Sequence, residues 1–177
     1  VDSYMPAINK GILGFINLRY VPFGNCQWNS TTPRFDCQHG PSELNGNKLQ
    51  LCLIDTMGNL RNIRQDTFGK RDQSEDAIKA VFAMYSKIRT TGRPSQKYDW
   101  ASYLPDDLTT ENERSIAKSC AVSDRGSTLM KEAEQATPEH DWIPWTVVNG
   151  QPLEIVDRNN ANHTADKYIC AKLIDSN

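Results

Sequence analysis

The spacing of apolar and polar residues predicts different elements along the chain. Residues 15–21 alternate apolar and polar side chains and end at a turn-forming Pro-Phe-Gly-Asn sequence, which predicts a β-strand. The next segment, residues 24–47, is rich in Gly, Asn, Pro, Ser and Thr and predicts a long irregular loop. Residues 48–55 are a short apolar run that fits either a helix or a buried strand.

The middle of the chain has the spacing of amphipathic helices. Ser74 is placed to cap the first of them. Thr110 and Glu113 have the separation of a capping box, which predicts the start of a second helix. Ser123 precedes a third apolar pattern, which Pro138 interrupts. These residues predict a block of helices in the middle of the chain.

Towards the C-terminus the pattern changes again. Asn149-Gly150 lies between two apolar runs within residues 145–156, and Asn-Gly in that setting is a strong β-hairpin signal. Thr164 is placed to cap a final amphipathic helix that reaches Ile174. A strand, a helical block, a hairpin and a last helix predict a mixed α/β domain. The order suits a thioredoxin-like sheet with an inserted helical subdomain.

Composition narrows the class of protein. The chain has 177 residues and a formal net charge of −2, which fits one domain. The near-neutral balance argues against a nucleic-acid-binding protein, because phosphate neutralisation needs clustered Lys and Arg. No apolar run approaches the roughly 18 residues that a membrane-spanning helix needs, so no membrane span is predicted.

The five cysteines are dispersed and form no Cys-x-x-Cys pair. They are Cys26, Cys37, Cys52, Cys120 and Cys170. Structural zinc needs two close ligand pairs, so we predict neither a metal nor another cofactor. Dispersed cysteines fit the disulfides of a secreted protein as well as the buried thiols of a cytosolic one. The glycosylation sequons at Asn29 and Asn162 do not decide between the two, because chance alone gives about two sequons in this composition.

Two longer stretches form recognisable motifs. Residues 37–52 read CQHGPSELNGNKLQLC, and residues 142–153 read WIPWTVVNGQPL. They resemble two segments of the gamma-interferon-inducible lysosomal thiol reductases, the GILT family, whose patterns are Cys-Gln-His-Gly-x-x-Glu-Cys-x-x-Asn-x-x-x-x-Cys and Tyr-Val-Pro-Trp-Val-Thr-Val-Asn-Gly-x-Pro-Leu. Every defined position of the first pattern fits except Leu44, where the family has cysteine. Shorter matches extend the likeness from about residue 15 to Cys170.

The resemblance implies a thioredoxin-like fold in a secreted or lysosomal protein. It implies a single GILT-like domain over residues 1–177, with the thioredoxin-like core at about 1–60 and 137–177 and the helical insertion at about 70–136. It also implies a cis peptide bond before Pro144, since cis bonds are cheap only before proline. The implied partner is a protein or a protein disulfide.

Aromatic and histidine side chains supply further candidates. Trp142 and Trp145 flank the implied cis-proline, and they fit an exposed binding surface or core packing equally well. We expect structural roles for His39 and His140 rather than roles as general bases.

The Cys-x-x-Cys catalytic pair of the family does not occur in the 177 residues of this sequence. A reductase of this type attacks a disulfide with one thiolate and resolves the mixed disulfide with the second cysteine of a Cys-x-x-Cys pair. The resemblance places Met5 and Ile8 at those two positions, and Leu44, Ala83 and Tyr103 at three further family cysteines. The chain resembles the cysteine-poor members found in insect branches of the family. We therefore expect a protein that has lost disulfide reductase activity and acts by binding another protein.

An alternative stays open beside this expectation. The protein would be an active reductase of protein disulfides if a Cys-x-x-Cys pair lay upstream of Val1, or if a single cysteine such as Cys26 worked alone. Because the resemblance shows the thiol at position 44 to be lost, we predict that Cys26 pairs with Cys37. Five cysteines allow at most two bridges within the chain, so we expect one thiol to stay free or to pair between chains.

Overall fold

The protein has a mixed and mostly helical structure. The computed structural model describes residues 8–9, 11–60, 73–91, 100–140, 143, 145–148 and 150–152. The chain divides into two compact units, Asn17–Glu139 and a second unit made of Val1–Ile16 with His140–Asn177. The mixed α/β class is confirmed, whereas the thioredoxin-like sheet and the division into core and insertion remain predictions.

The described residues contain helices and two short antiparallel hairpins. The helices are α1 (Pro41–Leu60), α2 (Glu75–Thr91), α3 (Glu111–Ala121) and α4 (Asp124–Ala136). The strands are β1 (Cys26–Asn29), β2 (Arg34–Cys37), β3 (Val147–Val148) and β4 (Gln151–Pro152). Short 3₁₀ helices cover Ile12–Gly14 and Trp100–Tyr103.

Helix α1 is the centre of the larger unit. It packs against α2, α3 and α4, and every residue from Leu49 to Ile54 is buried. A helix that is apolar on all sides is typically surrounded by other elements. The run 48–55, which fitted a helix or a strand, is therefore the middle of a helix.

Residues 17–21 have no regular secondary structure, so the strand predicted at 15–21 is wrong. The N–H of Tyr20 donates to Oε1 of Gln73 at 2.7 Å, and the Tyr20 carbonyl accepts from Nε2 of Gln73 at 2.7 Å. The Tyr20 hydroxyl lies 3.0 Å from that of Tyr85, and burial raises the pKa of Tyr20 well above its ordinary value. A glutamine side chain thus takes the place of a neighbouring strand.

Residues 24–47 are not an irregular loop, because they form the first hairpin and the start of α1. Strands β1 and β2 are antiparallel, with Cys26 opposite Cys37 and Trp28 opposite Phe35. Phe35 is buried, and its ring centroid lies 5.1 Å from that of Trp28. The polar composition that predicted a loop belongs to the turn between the strands and to the exposed side of the hairpin.

Three of the helix starts predicted from capping residues are confirmed. The Ser74 hydroxyl accepts from the backbone near the start of α2. Thr110 and Glu113 form a capping box at α3, and Ser123 caps α4. These predictions hold because a cap is a contact between residues close in sequence.

The predicted Asn-Gly hairpin is also present. Val147 pairs with Pro152 and Val148 with Gln151, and Gly150 in the turn has φ of 80°. The final helix predicted from Thr164 lies outside the described residues.

Replacing Thr110 by alanine should lower the free energy of unfolding by about 1 kcal/mol. The Thr110 hydroxyl accepts from the N–H of Glu113 at 3.2 Å, while Oε2 of Glu113 accepts from the N–H of Thr110 at 2.8 Å. The substitution removes the first of these bonds and leaves a helix N–H without its acceptor. Urea unfolding of the variant and the parent measures the difference.

The control for this prediction is Thr128→Ala. The Thr128 hydroxyl donates to the Asp124 carbonyl at 3.0 Å within α4 and caps no helix, so a change close to zero is expected. A loss for Thr110→Ala no larger than that for Thr128→Ala would show that the capping box does not stabilise α3.

Candidate functional site

Several residues of the motif at positions 37–52 lie, together with Cys26, where the first hairpin meets α1. We call this region the hairpin–helix junction, and it consists of Cys26, Cys37, Gln38, Glu43 and Asn47. Residues 38–40 form the turn between β2 and α1. The motif is therefore folded into one local region of the larger unit.

A disulfide bond closes the hairpin–helix junction. Cys26 and Cys37 are bonded to each other, and the two residues are directly opposite in the β-ladder. This is the pairing predicted for them from the sequence. Only 5% of the surface of Cys26 is exposed, whereas Cys37 is half-buried. One cysteine therefore belongs to the core, and the other is partly accessible to solvent.

Hydrogen bonds fix the turn between β2 and α1. Nδ2 of Asn25 donates to Oε1 of Gln38 at 2.9 Å, and the N–H of Gln38 donates to the Asn25 carbonyl at 3.2 Å. Oε2 of Glu43 accepts from the N–H of His39 at 2.8 Å and lies 3.2 Å from its Nδ1. Gly40 has φ of 75°, a conformation that favours glycine. These contacts tie His39 to the start of α1 through Glu43, and its structural role stays a prediction.

Asn47 joins the disulfide to the segment before β1. This asparagine is buried in α1. Its Nδ2 donates to the Phe23 carbonyl at 2.8 Å and lies 3.5 Å from Sγ of Cys26. The motif singles out Asn47 as its one defined asparagine, but the motif does not reveal which atoms the amide contacts.

Packed side chains stand where the resemblance expects further cysteines. Leu44 and Tyr103 are half-buried against the hydrophobic core. Ala83 lies on α2, which contacts the 3₁₀ helix that contains Tyr103. Leu44 and Tyr103 thus pack against the core at positions where the resemblance implies thiols.

A second disulfide joins α1 to α3 through Cys52 and Cys120. Cys52 has 0% of its surface exposed, and Cys120 is half-buried. The bond ties two helices that already pack against each other. Its place in the core is typical of a structural disulfide.

The sequon residue Asn29 ends β1 and bonds to the turn of the first hairpin. Its Oδ1 accepts from the N–H groups of Thr31 and Thr32 at 3.0 and 3.1 Å, and its Nδ2 donates to Oδ2 of Asp36 at 2.8 Å. This last hydrogen bond, followed by the charge of Arg34, holds the pKa of Asp36 below its ordinary value. Glycosylation of Asn29 stays a prediction.

The segment around the second hairpin carries exposed apolar side chains. Ile143 and Val147 are 41% and 43% exposed. Trp145 between them is half-buried, and its ring centroid lies 6.4 Å from that of His140. The remaining predicted site residues lie outside the described residues: Met5, Trp142, Pro144, Asn162 and Cys170.

A cleft of about 440 Å³ is lined by α1, α4 and the segment before β1. Its lining includes the apolar Ile54 and Leu129 and the acidic Asp55 and Glu132. Arg125 neutralises both acids, since Nη2 lies 2.7 Å from Oδ1 of Asp55 and Nη1 lies 3.2 Å from Oε1 of Glu132. The sequence pattern did not predict this ion-pair cluster. Because Arg125 balances the charge of the two acids, the cluster favours no particular ligand.

The described part of the chain also bears on two other kinds of site. Within it, no group of three or more His, Cys, Asp or Glu side chains could hold a metal ion. None of the helices described here has both the length and the apolar character needed to cross a membrane.

Known proteins are similar in sequence to this chain. The family model for gamma interferon inducible lysosomal thiol reductase (GILT) matches residues 1–91. The chain is 27% identical over 164 residues to the gamma-interferon-inducible lysosomal thiol reductase of Carassius auratus, covering 88% of this chain and 55% of that protein. It is 28% identical over 149 residues to the protein of the same name from Mus musculus, covering 81% and 51%.

An insect protein is also similar. GILT-like protein 1 of Drosophila melanogaster is 26% identical over 138 residues, covering 77% of this chain and 52% of that protein. The chain thus spans about half the length of these three relatives. The region that matches the family model contains the whole hairpin–helix junction.

Proposed function

The chain belongs to the gamma-interferon-inducible lysosomal thiol reductase family, and from this premise we propose that it binds a protein partner without acting as a dithiol reductase. The observation that carries the proposal is the state of the cysteines. All four cysteines that the structure describes are in disulfides, and each of these bonds has a structural setting in the larger unit. The proposal includes a thioredoxin-like core with a helical insertion.

The position assigned to the second catalytic cysteine supports this loss of activity. Ile8 is apolar, and only 3% of its surface is exposed. A resolving cysteine must ionise and reach a mixed disulfide, and a buried isoleucine does neither. Met5 at the first catalytic position has no ionisable thiol.

Apolar side chains near the second hairpin support a protein as the partner. Ile143 and Val147 are exposed on either side of Trp145. Aromatic residues are enriched at protein interfaces, and exposed apolar patches often mark them. We place the partner surface here, including the sequence neighbour Trp142.

A lysosomal or secreted location fits the same proposal. Disulfides persist in oxidising compartments and are rare in the cytosol, and this chain has two of them. The goldfish and mouse relatives are named as lysosomal proteins.

An active thiol reductase is the second candidate function. The goldfish and mouse relatives are named as thiol reductases. For this chain the activity would need a Cys-x-x-Cys pair outside the 177 residues or a single working cysteine. Cys26 is buried and disulfide-bonded, so it would work alone only after that bond had opened.

An insulin-reduction assay separates the two candidate functions. We expect the purified chain to leave the rate of insulin reduction at that of the added thiol reductant, because none of its cysteines belongs to a Cys-x-x-Cys pair. The variant Met5→Cys/Ile8→Cys, which restores Cys-x-x-Cys at the assigned positions, should raise the rate.

The control for the assay is Met5→Ser/Ile8→Ser, which changes the same positions without adding thiols. Catalytic turnover by the parent chain that disappears in Cys37→Ala would contradict the proposal and favour the active reductase.

A further inference from the structure

We propose that the Cys26–Cys37 disulfide is a thiol-exchange site at which an external thiolate is captured on Cys37. This inference goes beyond the proposed function, because it concerns one bond of the chain and needs no catalytic turnover. If the insulin prediction fails, thiol exchange at Cys37 still stands. If no exchange is observed, the insulin prediction still stands.

Each disulfide of the chain joins a buried cysteine to a half-buried one. Cys37 is half-buried and directly precedes the turn into α1, whereas its partner Cys26 is buried. In the other bond, Cys52 is fully buried, Cys120 is half-buried, and the two lie on helices that pack against each other. Exchange requires an attacking thiolate to reach a sulfur atom, so Cys37 is the favoured point of attack within the first bond, and the choice of this bond over the other rests on the surroundings of Cys26.

The surroundings of Cys26 suit a leaving thiolate. Nδ2 of Asn47 lies 3.5 Å from Sγ of Cys26, and the same nitrogen donates to the Phe23 carbonyl. A hydrogen bond to an ionised acceptor is stronger than one to a neutral acceptor. The amide of Asn47 therefore stabilises Cys26 more after the bond has opened than before.

The hairpin keeps its other contacts when the bond opens. Beyond the cysteine pair, Asn25 and Gln38 are joined through both backbone and side chain. Further along the ladder, Phe35 is buried beside Trp28. These contacts hold the strands together, so the opened Cys26 stays close to Cys37 and can close the bond again.

The step balances without an added oxidant or reductant. The external thiolate attacks Sγ of Cys37 and forms a new S–S bond with it. The Cys26–Cys37 bond breaks, and its electron pair stays on Sγ of Cys26 as a thiolate. One thiolate and one disulfide are present before and after the step. The reverse attack by Cys26 on Cys37 releases the captured thiol.

The ligand class is a compound with an accessible thiolate. Such a group comes either from a low-molecular-weight thiol or from a cysteine of a polypeptide. The half-buried position of Cys37 sets no charge requirement on the ligand, so the experiment must distinguish the two sources.

Mass spectrometry of trapped adducts tests the proposal. The folded full chain is incubated either with reduced glutathione or with an unstructured peptide that contains one cysteine. The reaction is stopped with acid, and free thiols are blocked with N-ethylmaleimide. We expect the probe on Cys37, maleimide on Cys26, and an intact bond between Cys52 and Cys120. Labelling by both probes shows that polypeptide thiols reach the site, and labelling by glutathione alone assigns it to small thiols.

Other labelling patterns would overturn the proposal. These are the absence of any adduct on the folded chain, an adduct on Cys26 at least as abundant as that on Cys37, or opening of the second bond at the same rate. Circular dichroism before quenching confirms that the labelled protein is folded.

A second experiment tests the role of Asn47 as a positioning residue. Asn47→Ala should slow labelling of Cys37 about tenfold, because one donor to an ionised group is lost. The matched control is Asn45→Ala, an exposed asparagine of the same helix, which should leave the rate unchanged. In a Cys37→Ser background, Asn47→Ala should also reduce the ultraviolet thiolate absorbance of Cys26 at a fixed pH.

The absorbance distinguishes an effect on the thiolate from a loss of packing. If Asn47→Ala fails to fold, Asn47→Asp keeps the size of the side chain and puts a carboxylate beside the sulfur. That variant should likewise lower the absorbance. Unchanged rate and absorbance in the folded variant would exclude Asn47 from the exchange.

Discussion

Replacing both Cys52 and Cys120 by alanine is expected to lower the free energy of unfolding by about 4 kcal/mol. The two residues are 68 positions apart in sequence, and closing a loop of that length removes much of the conformational entropy of the unfolded chain. A loss of this size is a large part of the stability of a typical domain.

The position of the bond in the fold supports this expectation. Cys52 is fully buried in α1, and α1 packs against α2, α3 and α4. The bond therefore restrains the central element rather than an exposed loop. Removal of the buried sulfur of Cys52 also leaves unfilled space in the core, which adds to the loss.

The other disulfide supplies the control for this prediction. Cys26→Ala/Cys37→Ala removes a bond between residues 11 apart, for which about 3 kcal/mol is expected. Urea unfolding of the parent and both double variants measures the two losses. A larger loss from the Cys26–Cys37 bond would contradict the view that the bond between helices is the main covalent restraint.

The features that could be predicted from the sequence are those set by neighbouring residues. The capping box of Thr110 and Glu113 is a contact between residues three positions apart, so the pattern alone was sufficient. The Asn-Gly turn of the second hairpin is equally local. The pairing of Cys26 with Cys37 was also predicted, because the resemblance implies a cysteine at position 44 where this chain has leucine.

The features that were missed depend on distant residues. The strand predicted at 15–21 is absent because Gln73, 53 positions from Tyr20, supplies the backbone partners that a strand would have had. The first hairpin was missed because its turn lacks an Asn-Gly pair, and burial of Phe35 in the core fixes its strands. The spacing of apolar and polar residues does not reveal contacts between residues this far apart in sequence.

The contacts of residues 37–52 stabilise the junction between the first hairpin and α1. Gln38 bonds to Asn25, Glu43 holds the turn through His39, and Asn47 contacts the segment before β1. These contacts keep the hairpin and α1 together. None of them involves the side chain of Leu44, so they do not depend on a cysteine at that position.

Replacing Gly126 by alanine is the other change with a large expected effect. An added Cβ would lie 2.7 Å from the Cys120 carbonyl oxygen and 2.9 Å from that of Ala121. Both are backbone atoms at the end of α3, so no side-chain rotation relieves the overlap. We expect the free energy of unfolding to fall by about 2–3 kcal/mol, as for other overpacked core positions.

Glycine 58 provides the matched control, since Gly58→Ala adds the same methyl group where nothing lies within 4 Å. Within α1 that change should raise the free energy of unfolding by about 0.5–1 kcal/mol, because alanine restricts the unfolded chain. Thermal and urea unfolding of the two variants should therefore shift in opposite directions from the parent. Equal stability of Gly126→Ala and the parent would mean that α3 and α4 do not approach each other this closely in solution. Such a result would also put the position of Cys120, six residues before Gly126, in question, and with it the covalent link to α1.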